Sequence, residues 1–293
     1  MTLWDIARLL RIHQYYKNFL VFMPLVFAGL LLSQGAIERT ILGFISLCMV
    51  ASSGYILNDI HDIEKDRKHP EKKLRPIPSG NVSINLALLT SLTLLLVSIL
   101  LAFQLDATFT LFVVAYFIIT NIYSLVFKQV LFLDIIIIAT LFVLRAISGA
   151  FVSLPNQMIP ISPWLILVPF FLAIFLVAAK RTSNVFLLKD DAKEFSKTLD
   201  GYDEQTTQFL FTISTTLLLA FYALYTLFSP YKLLAITIPV VLYAILYFTK
   251  KVNEGHVMGR ELSHAFKDPR LFISLLIWSV IAFSIIYALP IFS

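Results

Sequence analysis

Nine long apolar segments constrain the fold of this chain of 293 residues more than any other feature of its sequence. Apolar residue types make up 59% of the chain, above the share typical of soluble domains, and the mean hydropathy is +0.85. A helix needs roughly 20 apolar residues to cross the hydrocarbon core of a bilayer. The predicted spans are 18–34, 40–58, 84–104, 108–127, 131–152, 163–179, 207–228, 232–249 and 270–290. They leave no room for a soluble domain, so we expect one all-α transmembrane domain over residues 1–293.

Basic residues are distributed unevenly between the connections of these spans. If the N-terminus is placed on one side, that side holds 20 of the 23 lysines and arginines, whereas the opposite side holds only Arg39 and Lys232. The positive-inside rule assigns the Lys- and Arg-rich side to the cytoplasm. We therefore expect an integral protein of the cytoplasmic membrane with a cytoplasmic N-terminus. Its net charge of +5 follows from this orientation and needs no nucleic-acid partner.

An acidic cluster follows the second predicted span directly. Residues 58–66 read Asn-Asp-Ile-His-Asp-Ile-Glu-Lys-Asp and carry four carboxylates. On a helix, Asn58, Asp59, Asp62 and Asp66 share one face, where uncompensated carboxylates would repel one another. A divalent cation removes that repulsion, and Mg²⁺ binds oxygen ligands, using one or two carboxylates together with substrate phosphates.

The sequence therefore predicts a magnesium–diphosphate site on the cytoplasmic face. Asn58, Asp59, Asp62 and Asp66 are its predicted metal ligands, and the three aspartates are also the predicted catalytic residues. The alternative interpretation is a solvated charged loop. We disfavour it because the acidic residues precede the basic ones and begin at the membrane boundary. His61 and Glu64 are expected to point away from the shared face.

Several cationic and polar residues are predicted to bind substrate phosphates. Lys73 and Arg75 lie in a proline-bounded segment that returns towards the carboxylates, and a guanidinium binds phosphate oxygens bidentately. Lys180 and Arg181 end the sixth span and could face the metal site. The full predicted set of substrate-binding residues is Lys17, Asn18, Lys73, Arg75, Lys128, Lys180, Arg181 and Tyr202.

Arg145 is the one charged residue well inside a predicted span. An ionisable residue at such a depth is a functional candidate by default. Counted from the cytoplasmic end of its span, however, Arg145 falls in the outer half. We therefore expect a structural ion pair there, with Glu38 or Asp106 as the partner.

These motifs resemble those of a known family. The pattern Asn58-Asp59-x-x-Asp62-x-x-x-Asp66 after an early span resembles the first aspartate motif of the UbiA superfamily of intramembrane prenyltransferases. Three further segments resemble one branch, the decaprenyl-phosphate phosphoribosyltransferases, and this resemblance covers nearly the whole chain. They are Lys17-Asn18, the run from His69-Pro70 through Lys73 and Arg75-Pro76-Ile77 to Gly80, and Leu144-Arg145-Ala146-x-x-Gly149-Ala150.

The resemblance implies a nine-helix bundle around a cavity open to the membrane, with a polar cap on the cytoplasmic side. It implies Mg²⁺ as the cofactor, phosphoribosyl pyrophosphate as the donor and a polyprenyl phosphate as the acceptor. The connection after the sixth span departs from the aromatic prenyltransferases, which carry a second aspartate-rich motif there. Here it reads Lys180-Arg181-Thr182-Ser183-Asn184, and these cations suit a site that holds extra phosphates directly. Asn184 also departs from the branch, where Glu is common.

Two alternatives stay open at this point. A prenyltransferase would use the same metal site to hold a prenyl diphosphate and would transfer the prenyl group to an aromatic or other acceptor. A transporter is disfavoured because transport sites usually lie near the middle of the membrane, whereas this chain concentrates its polar residues at one face. The bilayer is a necessary partner, and a homo-oligomer is left open.

Overall fold

The computed structural model describes residues 3–70, 72–188 and 202–288, and these residues form helices without any β-strand. The predicted all-α class is therefore confirmed. In chain order, the α-helices are α1 (Leu3–Leu9), α2 (Met23–Phe27), α3 (Gln34–His61), α4 (Ile63–Lys68), α5 (Ile84–Leu105), α6 (Ala107–Leu125), α7 (Leu133–Val152), α8 (Pro163–Leu188), α9 (Glu204–Phe228), α10 (Ile238–Asn253) and α11 (Pro269–Phe283). Six 3₁₀ helices (Ile12–Phe22, Lys72–Leu74, Phe127–Gln129, Lys232–Thr237, Val257–Gly259 and Leu262–Lys267) and a π-helix (Ser284–Ala288) complete the list.

Eight helical segments of the described ranges are long and apolar enough to cross a bilayer. They match the second to ninth predicted spans, and their bounds are Gln34–His61, Ile84–Leu105, Ala107–Leu125, Leu133–Val152, Pro163–Val185, Glu204–Phe228, Lys232–Asn253 and Pro269–Ala288. The predicted count of nine is not confirmed.

The first predicted span, 18–34, is not one continuous helix. The 3₁₀ helix Ile12–Phe22 runs into the short helix α2, and the chain then turns at Gly29, whose φ is 73°. Pro24 lies in the first turn of α2. Proline has no N–H to donate and its ring clashes with the carbonyl four residues earlier, so an unbroken α-helix is disfavoured at this point. Hydropathy alone could not reveal the interruption.

The chain divides into two compact units, and the first comprises Met1–Lys128 and Thr140–Ile161. Within it, α3 packs on α5 through pairs of small hydroxyl residues. Ser46 lies 3.1 Å from Ser98, and Ser53 lies 2.9 Å from Ser91, measured between their Oγ atoms. Small side chains let two membrane helices approach closely, and their hydroxyls hydrogen-bond across the contact. These contacts hold the end of α3 that carries the acidic cluster.

The second unit comprises Gln129–Ala139 and Ser162–Ser293. Its core lies where α8 packs against α9 and α10. Phe175 of α8 stacks on Phe211 of α9 with ring centroids 5.3 Å apart, and Phe248 of α10 lies 5.4 Å from the same ring of Phe175. Ala178 and Ala179 are fully buried beside them, and such small residues permit close helix packing. This core positions Arg181, two residues further along α8.

The acidic segment is interrupted once, at Asp62, between α3 and α4. Helical spacing nevertheless continues, because Asp62 N–H donates to the carbonyl of Asn58 at 2.9 Å and Asp66 N–H donates to the carbonyl of Asp62 at 2.8 Å. The polar helix ends at Lys68. The chain then turns at Gly80, whose φ of 83° favours glycine, and enters α5.

Candidate active site

Two of the predicted carboxylates meet on one guanidinium in the first unit. Arg75 Nη1 donates to Asp59 Oδ1 at 2.9 Å and to Asp66 Oδ2 at 2.7 Å. Both aspartates are only 2% exposed. A buried carboxylate is costly unless it is paired and hydrogen-bonded, and Arg75 meets that requirement for both. The structure therefore brings together Asp59, Asp66 and Arg75, which the sequence had placed in one site.

Arg11 is a second cation at this position, and the sequence analysis missed it. Its Nη2 donates to Asp59 Oδ1 at 2.5 Å, and its guanidinium lies 4.7 Å from the ring centroid of Tyr55. Arg11 adopts a left-handed backbone conformation, with φ 52° and ψ 45°, which is uncommon for residues other than glycine. No spacing rule could have linked Arg11 to Asp59, because the two lie 48 positions apart.

Asp62 takes a different partner from the other two aspartates. Lys128 Nζ donates to both of its carboxylate oxygens, at 2.7 and 2.9 Å. Lys128 was predicted as a substrate ligand, and the structure places it directly on the acidic segment. Asn58 is half-buried beside this segment, whereas His61 and Glu64 are exposed, as expected for residues off the shared face.

The oxygen donors of this site fit Mg²⁺ in their chemistry. Within the described ranges, no three His, Cys, Asp or Glu side chains are already arranged around one point. Asp59 and Asp66 do converge on one cationic centre, which is Arg75 Nη1. Because Mg²⁺ uses one or two carboxylates together with phosphate oxygens and water, two converging aspartates are a sufficient protein contribution.

Arg145 does not form the predicted ion pair. Its Nε donates to Asn18 Oδ1 at 2.8 Å, its Nη1 donates to the Leu141 carbonyl at 2.9 Å, and its Nη2 donates to the hydroxyl of Tyr116. The prediction was wrong because Asp106 has another role. Its Oδ1 accepts from the N–H of Phe109 at 2.8 Å and caps the start of α6. Arg145 instead points towards the segment that carries Asn18.

Lys17 and Asn18 lie beside Arg145, so these two predicted substrate ligands belong to the first unit. Asn18 is 1% exposed, and its amide also donates to Cys48 Sγ at 3.2 Å. Lys17 Nζ donates to Gln14 Oε1 at 3.1 Å. Burial, together with the positive charges of Arg145 and Arg11, lowers the pKa of Lys17 to about 7. This shift indicates an environment that disfavours further positive charge.

Arg181 and Tyr202 meet on a carboxylate of the second unit. The hydroxyl of Tyr202 donates to Asp134 Oδ1 at 3.0 Å and accepts from the N–H of Phe132 at 2.9 Å. Arg181 Nη2 binds Asp134 Oδ2, and its guanidinium lies 4.0 Å from the ring centroid of Tyr202. Burial raises the pKa of Tyr202, so its hydroxyl keeps its proton. Arg181 Nη1 is buried and has no hydrogen-bond partner among the described residues.

Lys73 and Lys180 complete the predicted set, and both side chains are exposed. Lys73 forms no ion pair with a carboxylate of residues 3–70, 72–188 or 202–288. Their roles as substrate ligands stay predictions. Asn184, at the position that departs from the branch, is half-buried on α8.

The fold has known structural relatives. The structure of a UbiA homologue from Archaeoglobus fulgidus bound to GPP and Mg²⁺ matches with a TM-score of 0.71 and 19% identity, over 96% of this chain and 99% of the other. The apo structure of a UbiA homologue from Aeropyrum pernix K1 matches with a TM-score of 0.59 and 16% identity, over 89% and 97% of the two chains. At such identities, the likeness shows a shared fold.

Sequence relatives agree with the structural ones. A decaprenyl-phosphate phosphoribosyltransferase from Mycolicibacterium smegmatis is 29% identical over 93% of this chain and 89% of its own length. A protein with the same name from Mycobacterium tuberculosis is 28% identical over 93% and 91%. Residues 21–258 match the UbiA prenyltransferase family. The chain therefore belongs to the UbiA prenyltransferase family and, within it, resembles the decaprenyl-phosphate phosphoribosyltransferases.

Proposed function

We propose that this protein transfers a phosphoribosyl group from phosphoribosyl pyrophosphate to a polyprenyl phosphate and releases pyrophosphate. The reaction is Mg²⁺-dependent and takes place in one transmembrane domain, at the cytoplasmic face of the cytoplasmic membrane. The observation that carries this proposal is the convergence of buried Asp59 and Asp66 on Arg75, at the end of a membrane-spanning helix. The similarity to relatives that are named for phosphoribosyl transfer to decaprenyl phosphate supports this choice of substrates.

The charges of the first unit favour substrates that are strongly anionic. Among the described residues, the cations Arg11, Lys17, Arg75, Lys128 and Arg145 lie in the same network as the carboxylates Asp59, Asp62 and Asp66 or beside it. An excess of buried positive charge is unfavourable in a membrane protein unless a ligand compensates it. Phosphoribosyl pyrophosphate and a polyprenyl phosphate both bring negative charge, and a neutral acceptor would not.

The chain's own residues can stabilise the leaving group. The acceptor phosphate oxygen attacks C1 of the ribose, the bond between C1 and the pyrophosphate oxygen breaks, and the electron pair leaves with pyrophosphate. Mg²⁺, held by Asn58, Asp59, Asp62 and Asp66, would supply neutralisation of the pyrophosphate charge. Arg75 and Arg11 are already held in place by Asp59, so they can bind developing negative charge without reorganising. The attacking oxygen is already anionic, so no strong general base is required.

Substitution of single acids tests this assignment. We expect Asp62→Asn and Asp66→Asn to lower Mg²⁺-dependent turnover of phosphoribosyl pyrophosphate by about 100-fold or more, the loss typical when one electrostatic stabiliser is removed. Turnover is measured in purified protein as incorporation of ribosyl label into lipid. Glu64→Gln is the matched control, because Glu64 lies in the same segment but is exposed and forms an exposed ion pair with Arg67. Full turnover in both aspartate variants would refute the assignment.

A prenyltransferase is the second candidate, and one observation favours it. Solved UbiA homologues of the same fold are bound to GPP or DMAPP together with Mg²⁺. Membranes containing this protein are therefore incubated separately with radiolabelled phosphoribosyl pyrophosphate and with radiolabelled prenyl diphosphates. Label that enters lipid from the ribosyl donor supports the first candidate alone, whereas label that moves from a prenyl diphosphate to an acceptor supports the second.

A further inference from the structure

Lys17 and Arg145 of the first unit lack a carboxylate partner among the residues that the structure describes. Among the described residues, neither Lys17 nor Arg145 forms an ion pair, in contrast to Arg11, Arg75 and Lys128, which all do. Arg145 is 4% exposed and its hydrogen-bond partners are all neutral: an amide oxygen, a backbone carbonyl and a phenol. The ammonium group of Lys17 donates to the neutral side chain of Gln14 and lies 5.9 Å from the ring centroid of Tyr16.

The two cations lie close enough to influence each other. The positive charge of Arg145 contributes to the lowered pKa of Lys17, as does that of Arg11. Among the described residues, the other titratable side chains that Arg145 influences are Tyr16 of the same segment, Cys48 of α3 and Tyr116 of α6. Phenols and thiols have ordinary pKa values of about 8.5 or higher, so none of them supplies the missing negative charge near pH 7.

An unpaired pair of cations in a membrane protein is costly for the ligand-free fold. Charged residues inside such proteins normally pair with one another or mark the position of a ligand. Here Asn18 fixes the Arg145 guanidinium from one side through a 2.8 Å hydrogen bond, and Tyr116 fixes it from another. This geometry holds the charge in place without cancelling it. Because no carboxylate of residues 3–70, 72–188 or 202–288 supplies the counter-charge, we expect a bound anion to supply it.

We propose that Lys17 and Arg145 form an anion site for a phosphate monoester, separate from the carboxylates that bind the pyrophosphate. This inference rests on the proposed function, in which the acceptor and the donor each carry one phosphate monoester. Such a group carries close to two negative charges at pH 7 and offers three acceptor oxygens, which matches two cations and a nearby amide. The terminal phosphate of the lipid acceptor is the favoured occupant.

The aromatic side chains near Lys17 favour a lipid. Phe19 is 59% exposed and its ring lies 5.9 Å from that of Phe22 and 4.8 Å from that of Phe44 of α3. Phe22 and Phe44 are half-buried, so the three rings form an apolar surface, open at Phe19, that suits an isoprenoid chain. A soluble sugar phosphate has no apolar chain that could contact this surface. Both ligands share the phosphate monoester, so the experiment includes each of them.

Binding is measured in the purified full chain by isothermal titration calorimetry in detergent, with EDTA present and without donor. The lipid probe is farnesyl phosphate, farnesol is its phosphate-free control, and ribose 5-phosphate is the soluble probe. We expect farnesyl phosphate, but not farnesol, to bind. Because EDTA removes divalent cations and no turnover occurs, the result does not depend on whether phosphoribosyl pyrophosphate is the donor.

Lys17→Met is the decisive variant, because it keeps the length of the side chain and removes only its charge. We expect it to weaken farnesyl phosphate binding by at least tenfold while leaving the melting temperature of the ligand-free protein equal or higher. Lys17→Arg should restore binding. The matched control is Lys65→Met, which removes an exposed lysine from α4 and should change nothing. Asp66→Asn should also leave this binding unchanged.

Proton uptake on ligand binding distinguishes an anion-binding role of Lys17 from a purely structural one. An arriving anion should raise the pKa of Lys17, so binding at pH 8 should take up as much as one proton, and this uptake should disappear in Lys17→Met. Lys17-dependent binding of ribose 5-phosphate alone would support the anion site and assign it to the donor. Equal binding by the wild-type protein and Lys17→Met, or binding that is lost only in Asp66→Asn, would overturn the proposal.

Discussion

Arg75 has two carboxylate partners and one nitrogen that serves both. Asp59 and Asp66 are buried, and each accepts a hydrogen bond from Arg75 Nη1. The planar guanidinium is always charged and holds the two N–H bonds of Nη1 in fixed directions, which an ammonium group on a flexible stem does not reproduce. The identity of this side chain as arginine, and not only its charge, is therefore expected to matter.

Arg75→Lys should lower activity although it keeps the positive charge. A hydrogen bond to a charged group contributes about 1.5–3 kcal/mol, so we expect a loss of about 10- to 100-fold in kcat/KM for the donor. Steady-state kinetics with phosphoribosyl pyrophosphate measures it. Arg67→Lys is the control, because Arg67 forms an exposed pair with Glu64. Wild-type kinetics in Arg75→Lys would show that the fixed directions of the Nη1 donors are not needed for activity.

Substitutions of Asp134 and of Tyr202 should lower the free energy of unfolding by different amounts. Asp134→Asn leaves the buried Arg181 without its counter-charge, and breaking a buried pair typically costs about 3–5 kcal/mol. Tyr202→Phe removes one hydroxyl, worth about 0.5–1.5 kcal/mol, and keeps the ring beneath the guanidinium. Denaturant unfolding in detergent measures both free energies. Equal losses in the two variants would contradict this order.

Lys17 should make the stability of the ligand-free protein depend on pH. Its pKa is about 7 in the folded protein and about 10.5 in the unfolded chain, so the unfolded state binds more protons between these values. The penalty from Lys17 is therefore complete below pH 7 and disappears as the pH rises towards 10.5. We expect Lys17→Met to be more stable than the wild type at pH 7, with a difference in melting temperature that closes by pH 10. A difference that is constant with pH would contradict the shift.

Contact between α7 and the segment Ile12–Phe22 depends on one glycine. A Cβ atom built at Gly149 would lie 1.9 Å from the carbonyl oxygen of Val21, which belongs to the backbone and cannot rotate away. The absence of a side chain at Gly149 thus lets this segment approach α7, where Asn18 meets Arg145. The pairing of these two residues depends on helix packing as well as on their own chemistry.

Gly149→Ala should therefore disturb the site from a distance. Overpacking of this kind costs about 1–3 kcal/mol, and the shift of Ile12–Phe22 should weaken binding of the acceptor more than binding of the donor. Thermal unfolding and separate KM values for the two substrates measure these effects. Gly35→Ala serves as the control, since no atom lies within 4 Å of a Cβ built there. Unchanged stability in Gly149→Ala would contradict the close approach.

We predict the orientation in the membrane from the positive-inside rule, because basic residues are concentrated on one side of the predicted spans. Single cysteines are introduced as Glu38→Cys, near the start of α3, and Lys250→Cys, near the end of α10, in a Cys48→Ser background. Serine keeps an acceptor for Asn18. In intact cells, a membrane-impermeant maleimide should label Glu38→Cys. It should label Lys250→Cys only after the membrane is permeabilised. The reverse pattern would invert the proposed orientation.

Hydropathy and helical periodicity predicted much of this protein. Eight of the nine predicted spans match helices, because only a helix can satisfy its own backbone hydrogen bonds in a lipid environment. The spacing of Asp59 and Asp66 correctly placed them near each other, since residues on one helical face remain neighbours even across the interruption at Asp62. These are local properties of the chain.

Partners far apart in the sequence could not be derived in this way. Arg11 reaches Asp59 over 48 positions, Asn18 reaches Arg145 over 127, and Tyr202 reaches Asp134 over 68. Local sequence patterns state which side chains are charged and which helical face they occupy. The way the helices pack decides which of these side chains form pairs. That packing depends on close contacts such as the one at Gly149. For the same reason the acidic cluster and its partner Arg75 were evident from the sequence, whereas Arg11 was recognised only once the helices were placed.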